Sequence, residues 1–262
     1  MLRQRIITAL VLAPLALLVV LWVPHQVTMA VFAVLVLAGA WEWAAFPGFV
    51  SNSARIAYMV AVAAALAACW WMGPEQIQWV LYAAMAWWLI ALFWIAFLPT
   101  YMNRVLGMVA GFLVLVPAWV ALVWLHDLNP HLVLFVVLLV VAADVGAYFG
   151  GRKFGRHKLA PRVSPGKTWE GVAGGLVAAA LLAAIGVVWF DFSAIPFLIV
   201  SAVVVVASVV GDLTESLFKR HAGLKDSGSL LPGHGGVLDR VDSVTAAAPV
   251  FLVGLEFLGR LA

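Results

Sequence analysis

Long apolar runs separated by short polar stretches make up most of this 262-residue chain. Each run holds roughly 20 residues, which is enough for an α-helix to cross the hydrocarbon core of a bilayer. The nine windows are 6–23, 28–46, 54–72, 77–98, 104–125, 131–149, 169–190, 194–214 and 241–259. The strand-type alternation that a membrane barrel requires is absent from the sequence. The pattern therefore predicts an all-α, polytopic transmembrane bundle of about nine spans.

Composition supports this class, because 66% of the residues are hydrophobic and only 10% are charged. A soluble domain of this length could not bury so much apolar surface. The polar residues are distributed unevenly, so we predict an N-terminal transmembrane scaffold over 1–130 and a catalytic region over 131–262. The single cysteine, Cys69, excludes an intrachain disulfide and a cysteine metal cluster.

Basic residues predict the orientation, because short loops rich in Lys and Arg stay in the cytoplasm. If the N-terminus is cytoplasmic, fourteen of the fifteen Lys and Arg residues lie on the cytoplasmic side and only Arg260 lies opposite. Loops 150–168 and 220–240 are then cytosolic. The first run could be read as a secretory signal peptide, but it is long, contains Pro14 and lacks an Ala-x-Ala site, so we expect it to remain a span.

Acidic residues concentrate near the end of the eighth window and the start of the ninth. Four polar residues share one helical stripe by their i, i+3, i+4 and i+7 spacing: Asp212, Glu215, Ser216 and Lys219. Asp239 and Asp242 share a second face. Clustered carboxylates favour a divalent cation, and Mg²⁺ is the usual partner of carboxylates and phosphates. The alternatives are a Glu215–Lys219 pair that only stabilises the helix end, and helix capping by Asp239 and Asp242.

Two further acids lie inside apolar windows, where ionisation is costly. Asp144 is near the cytosolic end of the sixth window, and it is either a functional group or a partner for a nearby arginine. Glu42 stands between Trp41 and Trp43. It is either functional or at a helix end in contact with water.

Two loops have the composition of anion-binding segments. The glycines of Pro232–Gly236 allow backbone amides to approach an anion, and His234 between them is either structural or in contact with substrate. The segment Ser164–Glu170 places Lys167 and Thr168 in a turn before a helix, which suits phosphate. A P-loop is excluded there, because the required glycine at 161 is Pro161.

The polar segment as a whole resembles a known signature. It reads Ser216-Leu-Phe-Lys-Arg, four residues, Lys225-Asp226, and then Leu231-Pro-Gly-His-Gly-Gly-Val-Leu-Asp-Arg-Val-Asp242. This run is similar, without departure, to the signature of the phosphatidate cytidylyltransferase (CDP-diacylglycerol synthase) family. Two other stretches are also similar to the family, Asp144-Val-Gly-Ala-Tyr-Phe-Gly-Gly-Arg and Ser164-Pro-Gly-Lys-Thr-Trp-Glu-Gly. The N-terminal half matches only in being helical and apolar.

The resemblance implies transfer of a cytidylyl group from CTP to phosphatidic acid, giving CDP-diacylglycerol and pyrophosphate for phospholipid synthesis. It implies Mg²⁺ as cofactor, with Asp212, Asp239, Asp242 and Asp144 as the candidate ligands. The catalytic candidates are Asp212, Ser216, Lys219, Asp239 and Asp242. The substrate-binding candidates are Ser164, Lys167, Thr168, Arg220, Lys225, His234, Gly235, Gly236 and Arg240.

The expected setting is the inner, cytoplasmic cell membrane, with the active site facing the cytosol, membrane lipids around the bundle and no nucleic-acid partner. The resemblance also suggests a homodimer. An ion- or proton-coupled transporter using Asp144, Asp212 and Glu215 is the alternative function, although the chain lacks the symmetric acids of an internal repeat. A CDP-alcohol phosphotransferase is disfavoured, because its Asp-Gly-x-x-Ala-Arg pattern is missing.

Overall fold

The computed structural model describes residues 2–97, 103–230, 233 and 235–259, with side chains from residue 10 onward. These ranges contain nine helices and two short strands. The first five helices are α1 (Leu2–Trp22), α2 (His25–Trp43), α3 (Asn52–Trp70), α4 (Pro74–Phe97) and α5 (Arg104–Leu128). They are followed by α6 (Pro130–Phe154), β1 (Lys158–Ala160), β2 (Ser164–Thr168), α7 (Trp169–Phe190), α8 (Ala194–His221) and α9 (Leu238–Phe257).

Each predicted apolar window coincides with one helix, so the prediction of an all-α polytopic bundle is confirmed. Seven helices, α2 to α8, are long and apolar enough to cross a membrane. The chain is therefore an integral membrane protein. The total of nine spans and the cytoplasmic N-terminus remain predictions.

Two helices continue beyond their apolar windows into polar sequence. Helix α6 extends to Phe154, and Arg152 and Lys153 lie in its last turn. Helix α8 extends to His221, and Lys219, Arg220 and His221 lie in its last turn. Positive charge at a helix C-terminus interacts favourably with the helix dipole. The extension of α8 places the whole polar stripe on one continuous helix.

The predicted turn before α7 is instead an antiparallel hairpin of β1 and β2, in which Lys158 pairs with Thr168 and Ala160 with Ser164. A sequence with Pro165 and Gly166 in five residues carries little strand signal. At the end of β2, Thr168 becomes the N-cap of α7, because its Oγ1 accepts a 3.1 Å hydrogen bond from the Gly171 amide.

Glycines allow close packing between the helices that carry the polar residues. A Cβ atom on Gly171 would lie 3.0 Å from the Ala147 carbonyl, and one on Gly175 would lie 2.8 Å from the Ala143 carbonyl. Gly171 and Gly175, four residues apart on one face of α7, therefore let α7 pack closely against α6. Likewise, a Cβ on Gly211 of α8 would lie 2.7 Å from the carbonyl oxygen of Asp242 on α9. The glycines thus bring α6 against α7 and α8 against α9.

The N-terminal half packs directly on this region. The ring of Trp43, at the end of α2, lies 4.9 Å from that of Phe218 on α8, and Trp94 of α4 lies 5.5 Å from the same Phe218 ring, measured between centroids. Trp43 and Phe218 are fully buried. The end of α2 is therefore fixed against the polar end of α8.

Candidate active site

The stripe predicted on α8 is present, and it consists of two separate contacts. The Ser216 hydroxyl donates a 3.3 Å hydrogen bond to Asp212 Oδ1. One turn later, Lys219 Nζ lies 3.1 Å from Glu215 Oε1. That Glu215 oxygen is buried and has no partner with hydrogen-bond geometry, so its contact with Lys219 is a charge pair rather than a hydrogen bond.

Lys219 also joins α8 to α9. Its Nζ donates a 2.7 Å hydrogen bond to Asp239 Oδ1, so one ammonium lies between two carboxylates of different helices. Both Lys219 and Glu215 are buried. Buried charges of this kind are stabilised only by their partners, since water cannot reach them.

Asp239 organises the loop before α9. Its Oδ2 accepts 2.9 Å hydrogen bonds from the backbone amides of Ser227 and Gly236. Burial disfavours the charged form, but the Lys219 bond and the two amide bonds outweigh it and hold the pKa of Asp239 below its usual range. Asp239 therefore stays ionised at neutral pH.

Asp212 is the point at which the hairpin meets α8. Lys167 of β2 forms an ion pair with Asp212, with Nζ 2.5 Å from Oδ2. The negative charge of Asp212 also acts on Asp144 of α6 and on Asp242 of α9. Lys167 is thus in contact with Asp212 and also interacts electrostatically with Asp144 and Asp242, which belong to two other helices.

Asp242 lies where α9 packs against α8. Its backbone carbonyl lies against Gly211, the residue before Asp212. Its Oδ1 accepts a 2.7 Å hydrogen bond from the Ser243 amide. No group of three His, Cys, Asp or Glu side chains is already arranged as a metal site among the residues that the structure describes.

A cavity of about 390 Å³ opens beside Asp144 and Lys167. Its lining includes Thr168 and the exposed Arg152, together with apolar residues such as Val205 and Val209 of α8. A cavity lined by both charged and apolar side chains suits a ligand that carries both phosphate and acyl groups.

The other predicted substrate-binding residues are less closely gathered. Ser164 is half-buried at the start of β2. Arg220, Lys225 and Arg240 are exposed, and Arg220 donates a 3.5 Å hydrogen bond to the Leu224 carbonyl. Gly235 is half-buried.

Gly236 is buried under its neighbours, because a Cβ there would lie within 2.4 Å of Glu42 Oε2. His234, with Leu231 and Pro232, lies outside the described residues.

Glu42 is the site residue whose role the sequence left open. It is only 2% exposed, so the interpretation that it contacts water is wrong. Its carboxylate accepts hydrogen bonds from the Ser227 hydroxyl and from the amides of Val237 and Leu238, each at 3.0 Å. The only sequence signal was an acid inside an apolar window.

Comparison with known proteins agrees with this geometry. A profile of the cytidylyltransferase family matches residues 3–258. The chain is 47% identical to the phosphatidate cytidylyltransferase of Pseudomonas aeruginosa, covering 96% of each chain. It is 40% identical to the enzyme of the same name from Haemophilus influenzae, covering 96% of this chain and 97% of that one. These matches define a membrane-embedded enzyme of the nucleotidyltransferase type. The chain belongs to the cytidylyltransferase family.

Proposed function

We propose that this enzyme transfers a cytidylyl group from CTP to phosphatidate, forming CDP-diacylglycerol and pyrophosphate. The observation that carries the proposal is a cavity lined by Asp144, Lys167 and apolar side chains, in which Lys167 is paired with Asp212. The relatives described above are named phosphatidate cytidylyltransferases, and the transporter alternative has no support from them.

The reaction joins two anions. A phosphate oxygen of phosphatidate attacks the α-phosphorus of CTP, a new phosphorus–oxygen bond forms, and the bond to the pyrophosphate leaving group breaks. Phosphatidate is already ionised at neutral pH, so the protein has no proton to remove from the nucleophile. Its task is to position the two phosphates and to offset the negative charge that develops on the leaving group.

The residues present fit a divalent cation. Five acids, Asp144, Asp212, Glu215, Asp239 and Asp242, contact or act electrostatically on two lysines, so the described cluster has an excess of carboxylates. Such an excess is best kept ionised by a cation, and Mg²⁺ binds carboxylate and phosphate oxygens together. When bound, Mg²⁺ would supply positive charge to the phosphates of the nucleotide.

We assign the ion to Asp212 and Asp242, with Asp144 beside them. Asp239 already accepts hydrogen bonds from Lys219 and from the two loop amides, which take three of the four lone-pair sites of its carboxylate, so we assign Asp239 to positioning the loop. Ser216 donates to Asp212 and would orient its carboxylate.

Lys167 is the cation best placed for phosphate, because it lines the cavity and its partner Asp212 is itself a proposed ligand. Thr168 and Ser164 would hold the triphosphate at the start of α7. Arg220, Lys225 and Arg240 are exposed cations around the loop, and they would attract the headgroup and nucleotide. Gly235 and Gly236, with His234 just before them in the sequence, remain predicted substrate contacts.

The location follows from the basic loops. Loops 150–168 and 220–240 carry nine of the fifteen Lys and Arg residues, so the site would face the cytosol at the inner cell membrane. CTP would enter from the cytosol while the acyl chains of phosphatidate stay in the bilayer. The homodimer and the lack of a nucleic-acid partner remain predictions.

A direct test uses the full chain purified in detergent, given labelled CTP and phosphatidate with and without Mg²⁺. Labelled CDP-diacylglycerol should form only with the metal. Asp212→Asn should abolish product, whereas Asp127→Asn, which changes an exposed acid in the last turn of α5, should not. Folded wild-type protein that makes no labelled lipid under these conditions would exclude the proposed reaction.

A further inference from the structure

The loop that leads into α9 is folded around a carboxylate from the other half of the chain. Glu42 Oε2 accepts hydrogen bonds from the Ser227 hydroxyl and the Leu238 amide, and Glu42 Oε1 accepts one from the Val237 amide. Both oxygens are therefore used, and all three donors lie in the segment 227–238. We call the described residues of this segment, 227–230, 233 and 235–238, the α9 entry loop.

The glycines of the entry loop leave room for this carboxylate. A Cβ on Gly228 would lie 2.5 Å from Glu42 Oε1, and one on Gly236 would lie 2.4 Å from Glu42 Oε2. Neither position can carry a side chain unless Glu42 moves. The entry loop thus encloses Glu42 from two sides.

The two backbone amides that donate hydrogen bonds to Glu42 are at the beginning of α9. The first amides of a helix have no partner within the helix, and they are usually capped by a side chain nearby in sequence. The N-cap residue here, Val237, has no side chain that can do so. Glu42 supplies the cap from α2, and its negative charge lies at the positive end of the α9 dipole.

The start of α9 also sets the position of the reacting side chains. Asp239 lies one residue beyond Leu238, and Asp242 follows on the next turn, against Gly211. A change in where α9 begins would move Asp242 relative to Asp212 and would separate Asp239 from Lys219. Trp43, the residue after Glu42, is fully buried against Phe218, so the carboxylate itself has a fixed support.

From this geometry we propose that Glu42 is a positioning residue for cytidylyl transfer. It fixes the α9 entry loop and therefore the placement of Asp239 and Asp242, although it is separated from them in sequence by about two hundred residues. Its role rests on the proposed function, since it acts through residues assigned to that reaction. The N-terminal half thereby contributes to the site and is more than a scaffold.

The test compares Glu42→Gln with Glu256→Gln in the full chain. Glutamine keeps the size of the side chain, but it replaces one carboxylate oxygen, which accepts hydrogen bonds, with an NH₂ group, which can only donate them. Glu256 is a matched control, because it accepts bonds from Gln78 at 2.9 Å and Tyr82 at 3.2 Å and so joins the far end of α9 to α4. Both changes remove a charged acceptor between helices.

We expect Glu42→Gln to lower kcat by about ten- to a hundredfold, the usual effect of removing a group that orients a ligand. The KM for CTP should change much less. Backbone hydrogen–deuterium exchange should become faster in the α9 entry loop and should stay unchanged in the helices. Glu256→Gln should leave kcat and the exchange of this loop as in the wild type.

A folded Glu42→Gln protein with a kcat within twofold of wild type would overturn the proposal. An equal fall in kcat in Glu42→Gln and Glu256→Gln, with faster hydrogen–deuterium exchange throughout the bundle, would also overturn the proposal, because it would show a general structural role for Glu42. If Glu42→Gln does not fold, Ser227→Ala removes one of the three bonds, and it must then show a smaller fall in kcat with quicker exchange limited to the loop. If wild type and Glu256→Gln make no product, it is the proposed function that fails.

Discussion

Two lysine contacts connect the polar elements of this enzyme, and they differ in their access to solvent. Lys167 and Asp212 are each 27% exposed in their side chains, and Lys167 lines the cavity. Lys219 lies between Glu215 and Asp239, with side-chain exposures of 11%, 3% and 7%. A partly exposed pair can exchange partners with a phosphate at little cost, whereas a buried triad cannot. The first contact is therefore suited to substrate binding and the second to holding α8 and α9 together.

The largest effect is expected from breaking the buried triad. Lys219→Met would leave Glu215 and Asp239 without their cation, and removing one partner of a buried pair typically costs about 3–5 kcal/mol. We expect a large fall in the thermal unfolding midpoint in detergent, or no folded protein. Lys153→Met, at an exposed position, is the control. An unchanged midpoint for Lys219→Met would show that the triad does not stabilise the fold.

The exposed contact should behave in the opposite way. Lys167→Met should lower kcat/KM for CTP by about a hundredfold, equivalent to roughly 2.7 kcal/mol of transition-state binding. Its unfolding midpoint should stay close to that of the wild type, because a partly exposed pair contributes at most about 1 kcal/mol. Steady-state kinetics and thermal unfolding on the same preparation check both parts. A loss of stability with normal kinetics would reverse the assignment of the two lysines.

A smaller effect concerns the pH dependence of the stability that the buried triad provides. The pKa of Asp239 is lowered on folding, so its stabilising contribution is present above the pKa of the unfolded chain, about 4, and is lost as pH falls through the lower folded value. The difference in unfolding midpoint between wild type and Asp239→Asn should stay constant from pH 7 to about 5. This difference in unfolding midpoint should become smaller only in more acidic buffer. Narrowing that is already complete at pH 5 would contradict the lowered pKa.

The sequence predicted much of this structure because hydrophobic length alone determines where helices can span a bilayer. It also placed Asp212 and Ser216 on one stripe, since i and i+4 positions of a helix are neighbours. It did not predict the β1–β2 hairpin, whose short strands contain proline and glycine. Nor did it show that Lys219 binds Asp239, because that contact joins different helices.

Glu42 shows most clearly what local patterns omit. Its partners lie near residue 230 and beyond, and no spacing rule relates them to position 42. Only the cost of burying a carboxylate indicated that partners had to exist. The identity of these partners could not be predicted, because it depends on tertiary packing such as that of Trp43 of α2 against Phe218 of α8.

In the proposed site, Asp212 of α8 and Asp242 of α9 bind one cation beside the phosphates of CTP, and Asp144 of α6 lies next to them. An experimental structure with Mg²⁺ and a non-reactive CTP analogue tests it most directly. The account predicts an ion about 2.1 Å from oxygens of Asp212 and Asp242, with Lys167 turned from Asp212 toward a phosphate. An ion bound away from Asp212 and Asp242, or a nucleotide bound outside the cavity of Asp144 and Lys167, would contradict it.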